Sequence, residues 1–284
     1  MKKIILDTDI GSDIDDAFCL TYLLNNPDCE LLGITTVSGE PVKRAEIADA
    51  ILKHNGKSVP VFPGIEKPLI VSQKQAEARQ YAKIGNWEHK SKFTETEAIT
   101  FLKNTIEAHP GEITLLPIGP LTNIAVLFSE YPHIPSLLKE LVIMGGKFFD
   151  TANDKHGEWN IYCDPHAAHI VLNANVEKTV LVGLDVTTKV TMAPDEAKEK
   201  CSAHSLKPVM DFASVWFERC NLITYHDPLA ATVVFNDGIC KYEAFDVTVD
   251  LDTGKTYATP GDKNLIATEV FPKKFFEEYF GTVK

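Results

Sequence analysis

Residues 4–20 read IILDTDIGSDIDDAFCL. Five of these seventeen residues are aspartates (Asp7, Asp9, Asp13, Asp15 and Asp16), set between the apolar runs 4–6 and 17–20. The first run is short and continuous, the mark of a buried strand. The second opens a helical pattern over 15–26, with Ala17, Leu20, Leu23 and Leu24 in its apolar set. The aspartates therefore fall where a strand hands over to a helix. Asp7 and Asp9 leave the strand end on one side, because strand side chains alternate. Helix capping accounts for one or two of Asp13, Asp15 and Asp16. It does not account for five, and Asp13 and Asp16, three apart, repel if both lie on the helix. Clustered carboxylates at a strand end are tolerable if they bind a cation or share protons. All-oxygen ligands suit Ca²⁺ or Mg²⁺ rather than Zn²⁺. An EF-hand loop is excluded: counted from Asp7, its sixth position is Ser12 instead of Gly and its twelfth is Phe18 instead of Glu. Further ligands must come from other strand ends.

The alternation continues outward. Strand patterns occupy 2–6, 29–37, 59–64, 113–119, 140–146 and 178–186, and helical patterns occupy 42–56, 94–109 and 121–131. Such alternation predicts an α/β fold: one domain over 1–284, an open, mostly parallel, Rossmann-like sheet with helices on both faces. Ligands of such sheets bind beyond the carboxyl ends of the strands, where Asp7 and Asp9 sit. Two charged segments with isolated aromatics, 70–93 and 147–159, read either as lids over a site or as solvated surface.

The totals exclude several classes. Hydrophobic residues make up 44% of the 284, enough for a sizeable core. No run reaches the roughly 18–20 apolar residues that cross a bilayer. The N-terminal MKKIIL has a three-residue apolar run, too short for a secretory signal, so a cytoplasmic protein with no membrane partner is expected. The six cysteines form no C-x-x-C pair, which argues against a zinc cage or disulfide framework. A net charge of −12 argues against binding a nucleic-acid polymer.

Downstream, TYHDPLAATVVF (224–235) sets His226 and Asp227 before a Pro at a helix start. LLPIGPLTNIA (115–125) offers strand-end carbonyls, and GEWNIYCDPHAAHIVL (157–172) places Glu158 and Asn160 before an Asp-Pro helix start. Taken together, DTDIGSDIDDA, GITTVSG, IGPLTNIA, IMGG, WNIYCDPHAA and HDPLA resemble, in order and spacing, the inosine–uridine preferring nucleoside hydrolase family, over residues 3 to about 235. The resemblance implies a calcium-dependent N-glycosidase that releases base and ribose from a ribonucleoside by attack of a metal-bound water. It implies Asp9 as metal ligand and proton acceptor, Asp16 and Asp227 as further ligands, and the Ile118 carbonyl as a backbone ligand. It implies Asp15 at the ribose hydroxyls, Asp227 touching the sugar, Glu158 and Asn160 gripping the ribose, and His226 near the leaving base. A homodimer or homotetramer is also implied.

Three positions depart from the family pattern. Ile10 replaces a Pro, and two residues are added before Asp15 and Asp16, so Asp13 or Asp15 can fill the ribose role, with Asp15 preferred. Glu40 stands where an Asn is usual, which predicts a further carboxylate near the substrate. No His-Gly pair occurs in 70–95, where the nearest histidine is His89. Tyr81, Trp87, Trp159 and Tyr162 are candidates to stack on a base or to pack in the core. Two alternatives stand beside hydrolysis. One is a calcium- and ribose-binding protein without turnover. The other is a haloacid-dehalogenase-like phosphatase with Asp7 as nucleophile.

Overall fold

The computed structural model describes residues 1–93 and 97–283. Its elements begin β1 (Lys2–Thr8), α1 (Asp15–Asn25), β2 (Cys29–Thr36), α2 (Pro41–His54), β3 (Val61–Pro63), α3 (Ala98–Ala108), β4 (Ile113–Pro117) and α4 (Thr122–Glu130). They continue β5 (Glu140–Met144), α5 (Trp159–Cys163), α6 (Pro165–Asn173), β6 (Thr179–Val182), α7 (Leu184–Thr187), β7 (Thr191–Met192), α8 (Pro194–Lys200) and α9 (Lys207–Trp216). The last are β8 (Ile223–Thr224), α10 (His226–Phe235), β9 (Cys240–Val249), β10 (Thr256–Pro260), β11 (Asn264–Val270) and α11 (Pro272–Thr282).

Among the described residues, nine strands form one sheet in the order β10-β9-β11-β6-β5-β4-β1-β2-β3. Neighbours run parallel from β11 to β3, and β9 runs antiparallel to both β10 and β11. The apolar strand runs are continuous because both faces are covered. Ile4, Leu6, Leu116, Val142, Met144, Val180 and Val182 join one buried cluster with α1, α2, α9, α10 and α11. Ile5, Leu115, Leu141, Ile143 and Leu181, one residue out of phase, join the other with α3, α4 and α6. That is the period-two alternation of a strand expressed as two cores.

The expected α/β architecture is present, with local differences. The helical pattern over 94–109 begins at Ala98, and 94–96 lie outside the described residues. The strand expected over 178–186 stops at Val182, and after Gly183 the chain turns into the short helix α7. Residues 240–270, which carried no strand expectation, form the antiparallel edge β9–β11. Among the described residues no helix is long and apolar enough to cross a membrane.

Candidate active site

A cavity of about 700 Å³ opens past the carboxyl ends of the parallel strands. Its floor comes from strand-to-helix junctions: Asp9 after β1, Asp15 and Asp16 at the start of α1, Ile118 after β4, Met144 ending β5, Glu158 to Asn160 at α5, and His226 with Asp227 at α10. The ends of β1, β4 and β5 converge because these strands are neighbours in one sheet, whereas α10 follows β8 of the separate two-stranded β7–β8 sheet and packs against α1.

Capping does not explain the aspartates. The N-cap of α1 is Ile14, with no side-chain cap, and Asp13 Oδ1 accepts from the adjacent Ile14 N, at 2.6 Å. Asp164 is the true cap, accepting from Ala167 N at 3.1 Å with Pro165 at the helix start. Asp15, Asp16 and Asp227 are buried instead, and each offers an oxygen within 4.8 Å of the other two. Burial, and then the neighbouring aspartates, raise all three well above the usual carboxylate range. Asp16 Oδ1 accepts from Thr8 Oγ1 at 2.5 Å, and Asp15 Oδ2 from Asp227 N at 3.1 Å. The three donors are hard oxygens that repel one another unless protonated or bound to a cation, so the site fits a divalent ion of the Ca²⁺ or Mg²⁺ kind. The sequence reading set Asp15 apart from the ligands. The geometry draws it in beside Asp16 and Asp227, while Asp13 is half-buried on the cavity wall, hydrogen-bonded to Asp15 and pushed up to about 6 by burial.

Asp9 lies outside that trio. Its carboxylate accepts from Gln75 Nε2, and its backbone carbonyl from Arg44 Nη1. Burial raises it, while the Arg44 charge and the Gln75 bond pull it back. A Cβ at Gly119 would fall 2.7 Å from Asp9 Oδ1 and 2.9 Å from Asp9 N, so the Gly-Pro turn after β4 has to be this lean. Gly11, at φ +112°, turns the chain between Asp9 and Asp13 in a conformation that L side chains rarely adopt.

Asn160 Nδ2 donates to the Ile118 carbonyl at 2.8 Å and to the Met144 carbonyl at 3.2 Å. A carbonyl has two lone pairs, so Ile118 keeps one for a ligand. Glu158 caps α5, accepting from Asn160 N at 2.8 Å and from Ile161 N and Gly146 N at 3.1 Å, and burial pushes it up to about 7. His226 Nδ1 lies 2.7 Å from Thr187 Oγ1, and burial pushes this imidazole down to about 4.

Glu40 is not among the residues that line the cavity. One of its oxygens takes Lys43 Nζ at 2.5 Å and the other Ala78 N at 3.0 Å, an arrangement set by its left-handed backbone at φ 59°. The carboxylate expected near the substrate is therefore turned to the α2 side. Asp7, the nucleophile of the phosphatase alternative, is fully buried and off the cavity, accepting from Thr35 Oγ1 at 2.5 Å and Asn123 Nδ2 at 2.7 Å. Of the aromatic candidates only Trp159 lines the cavity; Tyr81 donates to Glu46 at 2.5 Å and Trp87 to Asp211 at 3.0 Å. Tyr162 stacks on His156 at 4.4 Å. The two polar segments divide. Lys74, Gln75, Ala76, Glu77 and Arg79 form a cavity wall, whereas of 147–159 only Glu158 and Trp159 reach it and Phe148 is buried.

Sequence reasoning missed Gln75, Arg44, Trp216 and Arg219. The last two enter from the end of α9 and line the outer cavity. Arg44 is fully buried, and it also donates to the carbonyls of Gly39 at 2.7 Å and Ile10 at 3.1 Å, and to Ser12 Oγ at 2.9 Å. It clamps the turn that carries Asp9. Its only sequence signal was a lone Arg at a buried helical position. Arg44→Met is expected to cost about 3–5 kcal/mol, because it strands buried carbonyls and removes a buried cation facing Asp9 and Asp16. A urea midpoint lowered at unchanged slope would show it, and a shift worth under about 1 kcal/mol would count against the clamp.

The α/β fold holds a carboxylate-floored cavity at the ends of its parallel strands. The sequence model of inosine-uridine preferring nucleoside hydrolases matches residues 4–277, and the chain belongs to that family, whose members are enzymes that hydrolyse ribonucleosides. It is 32% identical to the inosine-uridine preferring nucleoside hydrolase of Crithidia fasciculata, over 99% of this chain and 96% of the relative. It is 31% identical to a pyrimidine-specific ribonucleoside hydrolase of Escherichia coli, over 90% of this chain and 85% of the relative. In structure it is similar to a purine-preferring ribonucleoside hydrolase from Gardnerella vaginalis, with a TM-score of 0.86 at 24% identity over 99% of this chain and 98% of that one. These relatives differ in the base named for them.

Proposed function

We propose that the protein hydrolyses the N-glycosidic bond of ribonucleosides in a Ca²⁺-dependent reaction. The observation that carries this reading is the buried trio Asp15, Asp16 and Asp227 on the floor of a cavity shared with Asp9. Asp16, Asp227, the Ile118 carbonyl and Asp9 would hold the cation, and Asp15, beside Asp13, would hold the ribose diol next to it. When bound, the cation supplies Lewis acidity, orienting the sugar diol and making water easier to deprotonate.

The side chains supply the rest. Asp9 takes a proton from the attacking water, with Gln75 and the Arg44 clamp fixing its direction. Water oxygen bonds to C1′ as the C1′–N bond breaks, and its electron pair leaves with the base. The ribose passes through oxocarbenium character, which the surrounding carboxylates stabilise, and one displacement inverts C1′. Glu158 and Asn160 orient the 5′ side of the ribose, and Asp227 touches the sugar. His226 faces the departing base. Assembly as a homodimer or homotetramer is part of this proposal and rests on the family.

Incubation of Ca²⁺-loaded protein with inosine, uridine, cytidine and nicotinamide riboside is expected to release ribose from at least one of them, and EDTA to stop it. Release of no ribose from any of the four would overturn the reading.

A further inference from the structure

The proposed mechanism leaves open how His226 meets the leaving group. Its Nδ1 lies 2.7 Å from Thr187 Oγ1, on α7, the helix that interrupts the expected strand. Thr187 is fully buried. Among the described residues its hydroxyl has no hydrogen-bond partner other than this nitrogen. Two arrangements fit the distance. If Nδ1 carries a hydrogen and donates, the hydroxyl hydrogen is buried without an acceptor. If the hydroxyl donates, both groups are satisfied, Nδ1 is the acceptor, and the ring hydrogen sits on Nε2. Buried donors are almost always paired, so the second arrangement is favoured. His226 lines the cavity, and Nε2 has no protein partner among the described residues, so the N–H is free for a ligand.

We propose that Thr187 is a positioning residue that fixes His226 as the Nε2–H tautomer, aiming a hydrogen-bond donor at the leaving base. The inference rests on the N-glycosidase reading of the same site. The electron pair of the breaking C1′–N bond flows into the base, and the Nε2–H bond stabilises that negative charge at a ring nitrogen or exocyclic oxygen, solvent delivering the proton afterwards. The ligand class is a heterocycle with an acceptor on the side facing His226. A leaving group that is already a stable anion, such as 4-nitrophenolate, needs no such donor.

The test compares Thr187→Val, which keeps the shape and removes the hydroxyl, with Thr187→Ser, which keeps it. On the best ribonucleoside of the panel, Thr187→Val is expected to lower kcat by about 10–10²-fold, a part of the usual proton-transfer contribution. On 4-nitrophenyl β-D-ribofuranoside it should stay within about twofold, and Thr187→Ser should restore the ribonucleoside rate. An equal loss on both substrates, or no loss on either, overturns the proposal. ¹⁵N–¹H correlations of histidine-labelled, Ca²⁺-loaded protein read the tautomer without turnover. Nε2–H in the wild type supports the proposal, and Nδ1–H refutes it. Wild-type protein that cleaves neither substrate fails the N-glycosidase reading, and the NMR result then judges the tautomer by itself.

Discussion

Asp9→Asn is expected to lower kcat for ribose release by about 10²–10⁴-fold, the range usual for loss of a general base. Asn keeps the shape and still meets Gln75, but it cannot take a proton. Its effect on cation binding should be smaller than that of Asp16→Asn, because Asp16 belongs to the trio of closely spaced oxygens and Asp9 does not. Titration of each variant with Ca²⁺, beside single-turnover kinetics, separates the two roles. The apo variant should be no less stable than the wild type, since burial and acidic neighbours already disfavour the ionised forms around it. Retention of kcat within tenfold would remove Asp9 from the base role.

Removal of the cation should make stability fall as pH rises. Asp15, Asp16 and Asp227 are raised well above their unfolded values near 4, and Asp7 and Glu158 are pushed up to about 7. A raised carboxylate contributes stability that is present below the unfolded pKa and lost as pH climbs through the folded one. The folded chain then holds more protons than the unfolded chain, and each extra proton costs about 1.4 kcal/mol per pH unit. His226, pushed down to about 4, has the opposite sign, but it acts only between about pH 4 and its unfolded value near 6.5. Between pH 6.5 and 8.5 the carboxylates are therefore unopposed within the site. The Tm of EDTA-treated protein should drop across that window. Ca²⁺ should restore it most at the alkaline end, with about 2.7 kcal/mol of stabilisation at a hundredfold excess over Kd. A Tm of apo protein that rises with pH would contradict the assignment of these aspartates to a cation site.

Much of the site was legible because its signals are local. Five aspartates within 4–20 exceed any capping need, and HDPLA places Asp227 at a helix start, which α10 confirms. Glu40 was misplaced for a reason no pattern reveals: its backbone sits at φ 59°, and Lys43 and Ala78 N draw the carboxylate away from the cavity. Thr187 lay just past the end of an apparent strand. KTVLVGLDV (178–186) is apolar enough to continue β6, yet the strand ends at Val182 and the chain turns at Gly183. Arg44 looked like an ordinary helix residue, and only the packing of α2 against the 9–12 turn makes it a buried clamp.

The sequence by itself determined the alternating α/β plan and the cluster of aspartates at the end of the first strand. Periodicity and carboxylate density are properties of consecutive residues, so they survive without a fold. The tertiary structure alone decided that Asp15 joins Asp16 and Asp227, that Glu40 pairs with Lys43 and Ala78 N, that Gln75 and Arg44 meet Asp9, and that Thr187 meets His226. Those are contacts between segments up to 212 residues apart, as between Asp15 and Asp227. Their geometry depends on how β1 and α10 are brought together by the sheet and the two cores on either side of it.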